Sequence, residues 1–404
     1  MQTISRLTGA AYGVHLSDQV ALVSVPLIAA LAFDASPELI GVLVACQSSA
    51  HLIGSIPFGI LVDQARLRLL MIWSALLLLV GAVGATVSVP LGFTFGFGAS
   101  VTIAGFGTVL FGLTALSIVP RVADAASLSS ANAAIEVPRA LCSFAVPLAV
   151  GLAIGDVPAR VIFAAAALGA GIALISAVSL PEFEPAPKPA SPILSRIVEG
   201  GRYVVGHALL LPISLCAIFW NLAFAALLVA LVPVIQDVYS FDPGAFGIAL
   251  AAFGIGAFAG TSLARRIADR VAPKVVLLFG PGSSAAAAGC LLLIGPDTPI
   301  EFLYACFFVL GFGASMWLIA QNSVRQLVSP PAMLGRVNAV IQTAIYGVRP
   351  LGALLGGLVA GTAGPQAALL LVVAAFGASF AVSLLSKLRS VESYASLQSP
   401  ASLS

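Results

Sequence analysis

Apolar residues in this chain come in long, nearly unbroken runs, without the one-sided spacing of a soluble helix or the alternation of a half-buried strand. A helix that crosses a bilayer needs about 20 mostly apolar residues at 1.5 Å rise each. Runs of that kind fall near 8–32, 39–62, 69–89, 94–119, 131–154, 161–180, 209–235, 245–264, 275–295, 300–324, 337–361 and 366–386. The pattern therefore predicts twelve spans. The breaks are short and carry turn residues, as in "DASPE", "DQARLR", "GDVPAR", "FDPG", "GPDTP" and "TAGP". The thinnest is "VPLG", between spans three and four. One longer break, "PEFEPAPKPASP", is proline-rich and semi-rigid. It leads into "ILSRIVEGGRYVVGH", where Ile193, Ile197, Tyr203 and Val204 predict an amphipathic helix on the membrane surface. The expected organisation is a six-helix bundle over 1–180, a linker with that helix over 181–207, a second six-helix bundle over 208–386 and a tail over 387–404. The end of the tail, "SVESYASLQSPASLS", reads as disordered.

Composition identifies the solvent. The chain is 60% hydrophobic and only 8% charged, against roughly 25% charged in soluble domains. A net charge of +2 gives no support to nucleic-acid binding. Its placement is more informative. Of 18 basic residues, 15 fall in the N-terminus, the even-to-odd loops, the linker and the tail. Arg160 alone falls in a loop on the other side, and Arg139 and Arg349 fall within spans. The positive-inside rule then predicts both termini in the cytoplasm. Asp18 inside the first run argues against a cleavable signal peptide. The five cysteines all sit in apolar runs without a CxxC pair, so neither a zinc site nor a disulfide scaffold is expected. No phosphate-binding G-x-x-x-x-G-K-[ST] occurs; "GPGSSAAAAG" has the glycines without the lysine. No metal cluster, nucleophile elbow or dinucleotide fingerprint appears, so no cofactor and no enzymatic activity are expected.

The two halves resemble each other. "NAAIEVPRALCSFAVPLAVGLAIG" (132–155) aligns without gaps to "NAVIQTAIYGVRPLGALLGGLVAG" (338–361), an offset of 206 with seven matches in 24. "GILVDQARLR" from Gly59 is related to "GTSLARRIADR" from Gly260. An offset near half the chain length implies duplication of a six-span unit, an architecture that transporters use. These residues carry a family likeness. The loop after span two is similar to the G-x-x-x-D-R-x-G-R-R/K signature of the major facilitator superfamily. Gly59, Asp63 and Arg68 are in register, while Gln64, Arg66 and Leu67 depart from it. "SRIVEGGRYVVGHALL", "NLAFAALLVALVPV" and "RQLVSPPAMLGRVNAVIQTAIYGVRPLGALLGGLVAG" resemble the superfamily branch of siderophore exporters and macrolide-efflux proteins, the transmembrane secretion effectors. The resemblance implies twelve transmembrane helices in two pseudo-symmetric bundles. It also implies a monomeric, proton-driven permease of a bacterial inner membrane that exports a drug, siderophore or metabolite.

In such a protein, polar residues inside spans mark the working parts, because an ionisable group facing lipid is costly. Spans 3, 6, 9 and 12 carry no charge away from their ends and read as outer helices. Span 1 holds His15, Asp18 and Gln19; span 5 holds Glu136 and Arg139; span 7 holds Trp220 and Asn221. Span 10 holds Trp317, Gln321 and Asn322, and span 11 holds Gln342, Tyr346 and Arg349. In the family that is resembled, the first and fourth helices of each half line a central cavity, with the second and fifth beside them. Asp18 lies ten residues into its run, about 15 Å along the axis and so near mid-bilayer. It is the preferred proton carrier, with Glu136 and His15 as partners in proton coupling; a structural, hydrogen-bonded aspartate is the competing reading. Gln19, Arg139, Trp220, Asn221, Trp317, Gln321, Asn322, Gln342, Tyr346 and Arg349 are the candidate substrate-cavity residues. For the tryptophans and amides, packing and helix-to-helix bonding are the plainer alternatives. Arg349 can bind an anionic group or hold a buried acid. Gly352, Gly356, Gly357 and Gly361 are expected to serve close helix packing. Gly59, Asp63, Arg66 and Arg68 form a candidate cytoplasmic gating loop, or simply a charged loop that sets topology. Proton-driven export is the leading function. Proton-coupled uptake of a nutrient and a non-transporting scaffold or sensor are the alternatives.

Overall fold

The computed structural model describes residues 2–123, 128–183, 193–267 and 270–398. Twelve of its helices are long and apolar enough to cross a membrane. They are α1 (Gln2–Phe33), α2 (Pro37–Gln64), α3 (Leu67–Ser88), α4 (Thr94–Val122), α5 (Leu128–Ala153) and α6 (Ala159–Val178), then α8 (Leu210–Pro233), α9 (Gly244–Ile267), α10 (Pro273–Leu291), α11 (Ile300–Val328), α12 (Pro331–Ala363) and α13 (Pro365–Leu385). The linker helix, α7, spans Ile193–Gly206. No strand occurs among the described residues.

Local chemistry sets the ends. Proline opens α2, α10, α12 and α13, where its missing N–H has no intrahelical partner to lose. Ser36 caps α2, its side chain accepting from the Leu39 N–H. Gly364 takes a φ of 92°, a region open to glycine, and so ends α12 and starts α13 within one residue. Beyond Pro233 the last turn of span seven relaxes into a π-helical turn, Val234–Val238.

The chain divides into two compact units. Unit 1 comprises residues 1–190 together with 242–251, and unit 2 comprises 191–241 and 252–404. The division differs from the expected bundle limits in the first turns of α9. These belong with unit 1 because Gly244 and Gly247 lie directly against Gly151 and the Pro147 carbonyl, where a side chain would not fit.

Inside unit 1, α1 crosses α6 through Gly13 and Gly169, each facing the other's carbonyl. The Ser17 hydroxyl adds a 2.5 Å bond to the Ala166 carbonyl. A core of Leu7, Val14, Leu67, Met71, Leu110 and Ile118 fills the space among α1, α3 and α4. Inside unit 2, α12 lies equally close to α8. A Cβ on Gly352 would collide with the Leu222 carbonyl oxygen, and one on Gly356 would sit 2.8 Å from Ala226 Cα.

One expectation gains detail and another changes. The linker helix α7 is amphipathic, but its inner face packs on protein. Val204 is buried in the unit 2 core, the Tyr203 hydroxyl donates to the Val328 carbonyl at 2.8 Å, and Glu199 pairs with Arg336 of α12 at 2.5 Å. The tail, expected to be disordered, is ordered through Gln398. Leu388, Val391 and Leu397 are buried in the same core as Val204, Val324 and Val328. The Lys274 N–H donates to the Val391 carbonyl, and Lys274 pairs with Glu392 at 2.5 Å. A few spaced apolar residues found a groove to fill, which a composition-based reading cannot see. The tail's final residues lie outside the described part of the chain.

Candidate functional site

In unit 1, three helices bring the titratable residues together. Ser17, buried and bonded to α6, sets the rotation of α1. That rotation leaves His15, Asp18 and Gln19 only half-buried on the other faces. Thr108 of α4 approaches Asp18, its hydroxyl 3.4 Å from Oδ1, a long and weak bond. Cys142 of α5 is close enough to feel the Asp18 charge. His15 packs edge-on against Phe111, with ring centroids 6.0 Å apart, and lies within electrostatic reach of both Arg139 and Glu136. Glu136 and Arg139, one turn apart on α5, form an ion pair with N–O distances of 2.7 Å from Nε and 2.5 Å from Nη2. Both side chains are more than half exposed within the chain. The α1–α4–α5 cluster thus holds two carboxylates and one guanidinium. Thr108 was not singled out by its sequence. Its signal was a hydroxyl in an otherwise apolar stretch of span four, where most threonines merely bond back to their own helix, as Thr102 and Thr114 do.

In unit 2, a second site forms between α8 and α12. Asn221 is buried and doubly held: its Nδ2 donates to the Ala217 carbonyl at 2.9 Å, and its Oδ1 accepts from Arg349 Nε at 2.9 Å. The Arg349 guanidinium lies 5.0 Å from the centroid of the Tyr346 ring, an attractive cation–π placement. Gln342, one turn earlier on α12, is exposed.

The other cavity candidates of unit 2 lie elsewhere. Trp220 donates to Ser284 Oγ at 3.0 Å, stacks on Phe224 at 5.1 Å and meets Phe376 edge-on at 5.8 Å, so it belongs to an aromatic cluster. Trp317 is buried against Gly280 between α10 and α11, and Gln321 is 3% exposed. Both side chains are buried in this structure, and Gly280 leaves the space that Trp317 occupies. Gln321 donates to Asn322 Oδ1 at 2.7 Å, as does Arg325 at 2.6 Å. Hydropathy put Arg325 in a loop, but α11 runs on to Val328 and Arg325 is 8% exposed in its last turn. This basic residue escaped notice because it sits where the apolar run ends.

The signature loop is also spoken for in part. Gly59 faces open space, Arg66 is exposed at the start of α3, and the Asp63 side chain is outside the described residues. Arg68 turns to its own unit, pairing with Glu182 at 2.9 Å and donating to the Val178 carbonyl at 2.7 Å. Arg6 donates to the neighbouring Ser179 carbonyl. Both cations thus meet the negative end of α6. No group of three or more metal-ligating side chains occurs among the described residues.

Comparison with known proteins accords with this architecture. Over 250 residues the chain is 27% identical to the enterobactin exporter EntS of Escherichia coli O127:H6 (strain E2348/69 / EPEC). The match covers 61% of this chain and 59% of that protein's length. Among solved structures, a peptide transporter of the POT family bound to alafosfalin superposes with a TM-score of 0.79 at 13% identity, covering 96% of this chain and 93% of that one. A D-xylose-proton symporter superposes with a TM-score of 0.66 at 15% identity, covering 92% and 96%. At these identities the structures speak for the fold alone. The sequence profile of the Major Facilitator Superfamily matches residues 7–353 and 213–400. With twelve apolar helices in two units, this multi-pass membrane protein belongs to the Major Facilitator Superfamily of transporters.

Proposed function

We propose that the chain exports a small amphipathic molecule in exchange for protons, in the inner membrane of a bacterium with both termini in the cytoplasm. The observation that carries this reading is Asp18. It stands mid-helix in an apolar span, held only half-buried and approached by the Thr108 hydroxyl. A carboxylate at that depth is stable when protonated, paired or hydrated. It therefore changes charge as its access to water changes. The neighbouring Glu136–Arg139 pair and His15 set the local field. Thr108 donates to the ionised carboxylate and can accept from the protonated one, so both states have a partner. In the outward-open state proton entry neutralises Asp18, which releases substrate outward and favours return to the inward-open state; proton loss inside then resets the cycle. The driving force is about 2.3 kcal/mol per charge for each 100 mV, plus the pH gradient. Export as the direction is supported by the likeness to a siderophore exporter, and the cytoplasmic termini by the placement of Lys and Arg.

The test uses inverted membrane vesicles acidified inside and loaded with a pH-reporting dye. A compound panel of siderophores, macrolides and small metabolites is added outside. A transported compound should drive protons out of the lumen, and Asp18→Asn should remove that response while surface expression and folding persist. Substrate-driven proton movement that survives unchanged in Asp18→Asn would falsify the assignment. Movement of protons together with substrate would mark an uptake symporter.

A further inference from the structure

The unit 2 site is short of one negative charge. Arg349 lies twelve residues into an apolar run, about 18 Å along the helix and so near mid-bilayer. A guanidinium there demands a counter-charge or water. Among the described residues Arg349 takes part in no ion pair. The carboxylates of unit 2 are all remote from mid-span in sequence. Glu199 is on the linker helix, Asp237 in the last turn of span seven, Glu301 in the first turn of α11, and Asp269, Asp297 and Glu392 fall between or beyond spans. The partners Arg349 does have are neutral: an amide oxygen and the face of a tyrosine ring.

Geometry adds to the charge count. Asn221 takes the Nε–H, the single donor on the inner edge of the guanidinium. Its own Nδ2 is tied to the Ala217 carbonyl, so the amide cannot turn away. The site is rigid at the level of the helices too. Gly352, one turn after Arg349, presses on the Leu222 carbonyl, next in sequence to Asn221. The helix contact that positions the amide therefore also positions the arginine. The two Nη groups form the outer fork, whose N–H donors match the two oxygens of a carboxylate.

We propose that Arg349, oriented by Asn221 and backed by Tyr346, is an anion-binding subsite that takes a carboxylate or equivalent planar oxyanion of the transported molecule. This rests on the transporter reading and adds the substrate's charge class to it. A substrate whose only charge is an ammonium is excluded from this subsite by repulsion. An anion supplies the charge that the unit lacks and engages the fork in a bidentate way.

The experiment compares three amphipathic probes of one shape: 2-naphthoate, its methyl ester and 2-naphthylmethylammonium. Binding to the full chain in lipid nanodiscs is followed by thermal shift and by intrinsic tryptophan fluorescence. The naphthoate should bind at least about tenfold tighter than the other two. Arg349→Gln should remove that preference, and Arg349→Lys should weaken it by keeping the charge without the fork. Asn221→Asp guards against a folding artefact. It places a carboxylate on Arg349 internally, so it should hold or raise the melting temperature while abolishing naphthoate binding. Equal binding of the three probes, tighter binding of the ammonium, or undiminished naphthoate binding in Asn221→Asp overturns the subsite. Each of these outcomes leaves substrate-driven proton movement through Asp18 untouched, so failure here is distinguishable from failure of the transport reading.

Discussion

The two units resemble each other in sequence, yet their polar sites have opposite character. The gapless offset of 206 pairs Glu136 with Gln342, Arg139 with Ile345, and Ser143 with Arg349. The acid and its cation in unit 1 are thus replaced by neutral residues in unit 2, and the mid-span Arg349 stands where unit 1 has a serine. The mechanical setting differs as well. In unit 1 the closest helix crossing, Gly13 on Gly169, joins α1 to α6, away from the residues that face Asp18. The Thr108 hydroxyl of α4 approaches Asp18 at 3.4 Å. In unit 2 a close crossing, Gly352 and Gly356 on α8, falls between the two helices that carry Arg349 and Asn221. A half-buried acid suits a group that must gain and lose a proton. A rigidly held cation suits recognition. The two halves share a sequence frame and differ in the chemistry they carry on it.

That contrast can be broken most severely at the unit 2 crossing. Gly352→Leu puts a side chain where a backbone carbonyl already lies, and backbone cannot yield as a flexible side chain does. We expect a loss of about 3 kcal/mol, seen as a lower melting temperature together with loss of naphthoate binding. A variant that melts normally and still binds would show that the crossing does not set the Arg349–Asn221 register.

The added layer on unit 2 offers a smaller lever. Ending the chain at Ser386 removes Leu388, Val391 and Leu397 from the core and breaks the Lys274–Glu392 pair. Net destabilisation of about 2 kcal/mol is expected, since the burial gained by three side chains is partly offset by the entropy of ordering the segment. Limited proteolysis should then cut the linker helix α7, which shares that core, faster than in the intact chain. Unchanged cleavage would mean the tail rests on the unit without supporting it.

The smallest effect is a pH dependence in the same layer. His207 Nδ1 accepts from the Leu209 and Leu210 N–H groups at 3.1 and 3.4 Å, which caps α8 only while that nitrogen is unprotonated. Burial, and then the Lys387 charge, hold its pKa below the ordinary 6.5. The neutral ring is favoured in the fold, so this contribution is complete above 6.5. It is lost as pH falls below that, because the unfolded chain then binds the proton more readily. His207→Asn, which keeps a side-chain acceptor, should flatten the melting-temperature profile between pH 7 and 5. A profile as steep as that of the native chain would assign the dependence to another group.

Much of this protein was legible from sequence because a bilayer simplifies the problem. Backbone polar groups must be satisfied internally there, so length and hydropathy alone dictate twelve helices, and depth alone marks Asp18 and Arg349 as residues in need of an explanation. The likeness of the halves was visible as an offset, and the turn residues announced the breaks. Partnership was not legible. Nothing in "FWNLAF" says that Asn221 meets Arg349, 128 residues away, or that Trp220 beside it turns into an aromatic cluster. For Trp317 and Gln321 hydropathy gives depth in the membrane but not that their side chains are buried. Arg325 and the tail were misjudged for a related reason: at the ends of spans, composition looks the same whether a segment is wet or packed. Facing is set by where two helices can touch, and that depends on small residues such as Gly352 and Gly280 meeting a particular neighbour. Those are long-range steric facts. They belong to the folded chain and to no window of its sequence.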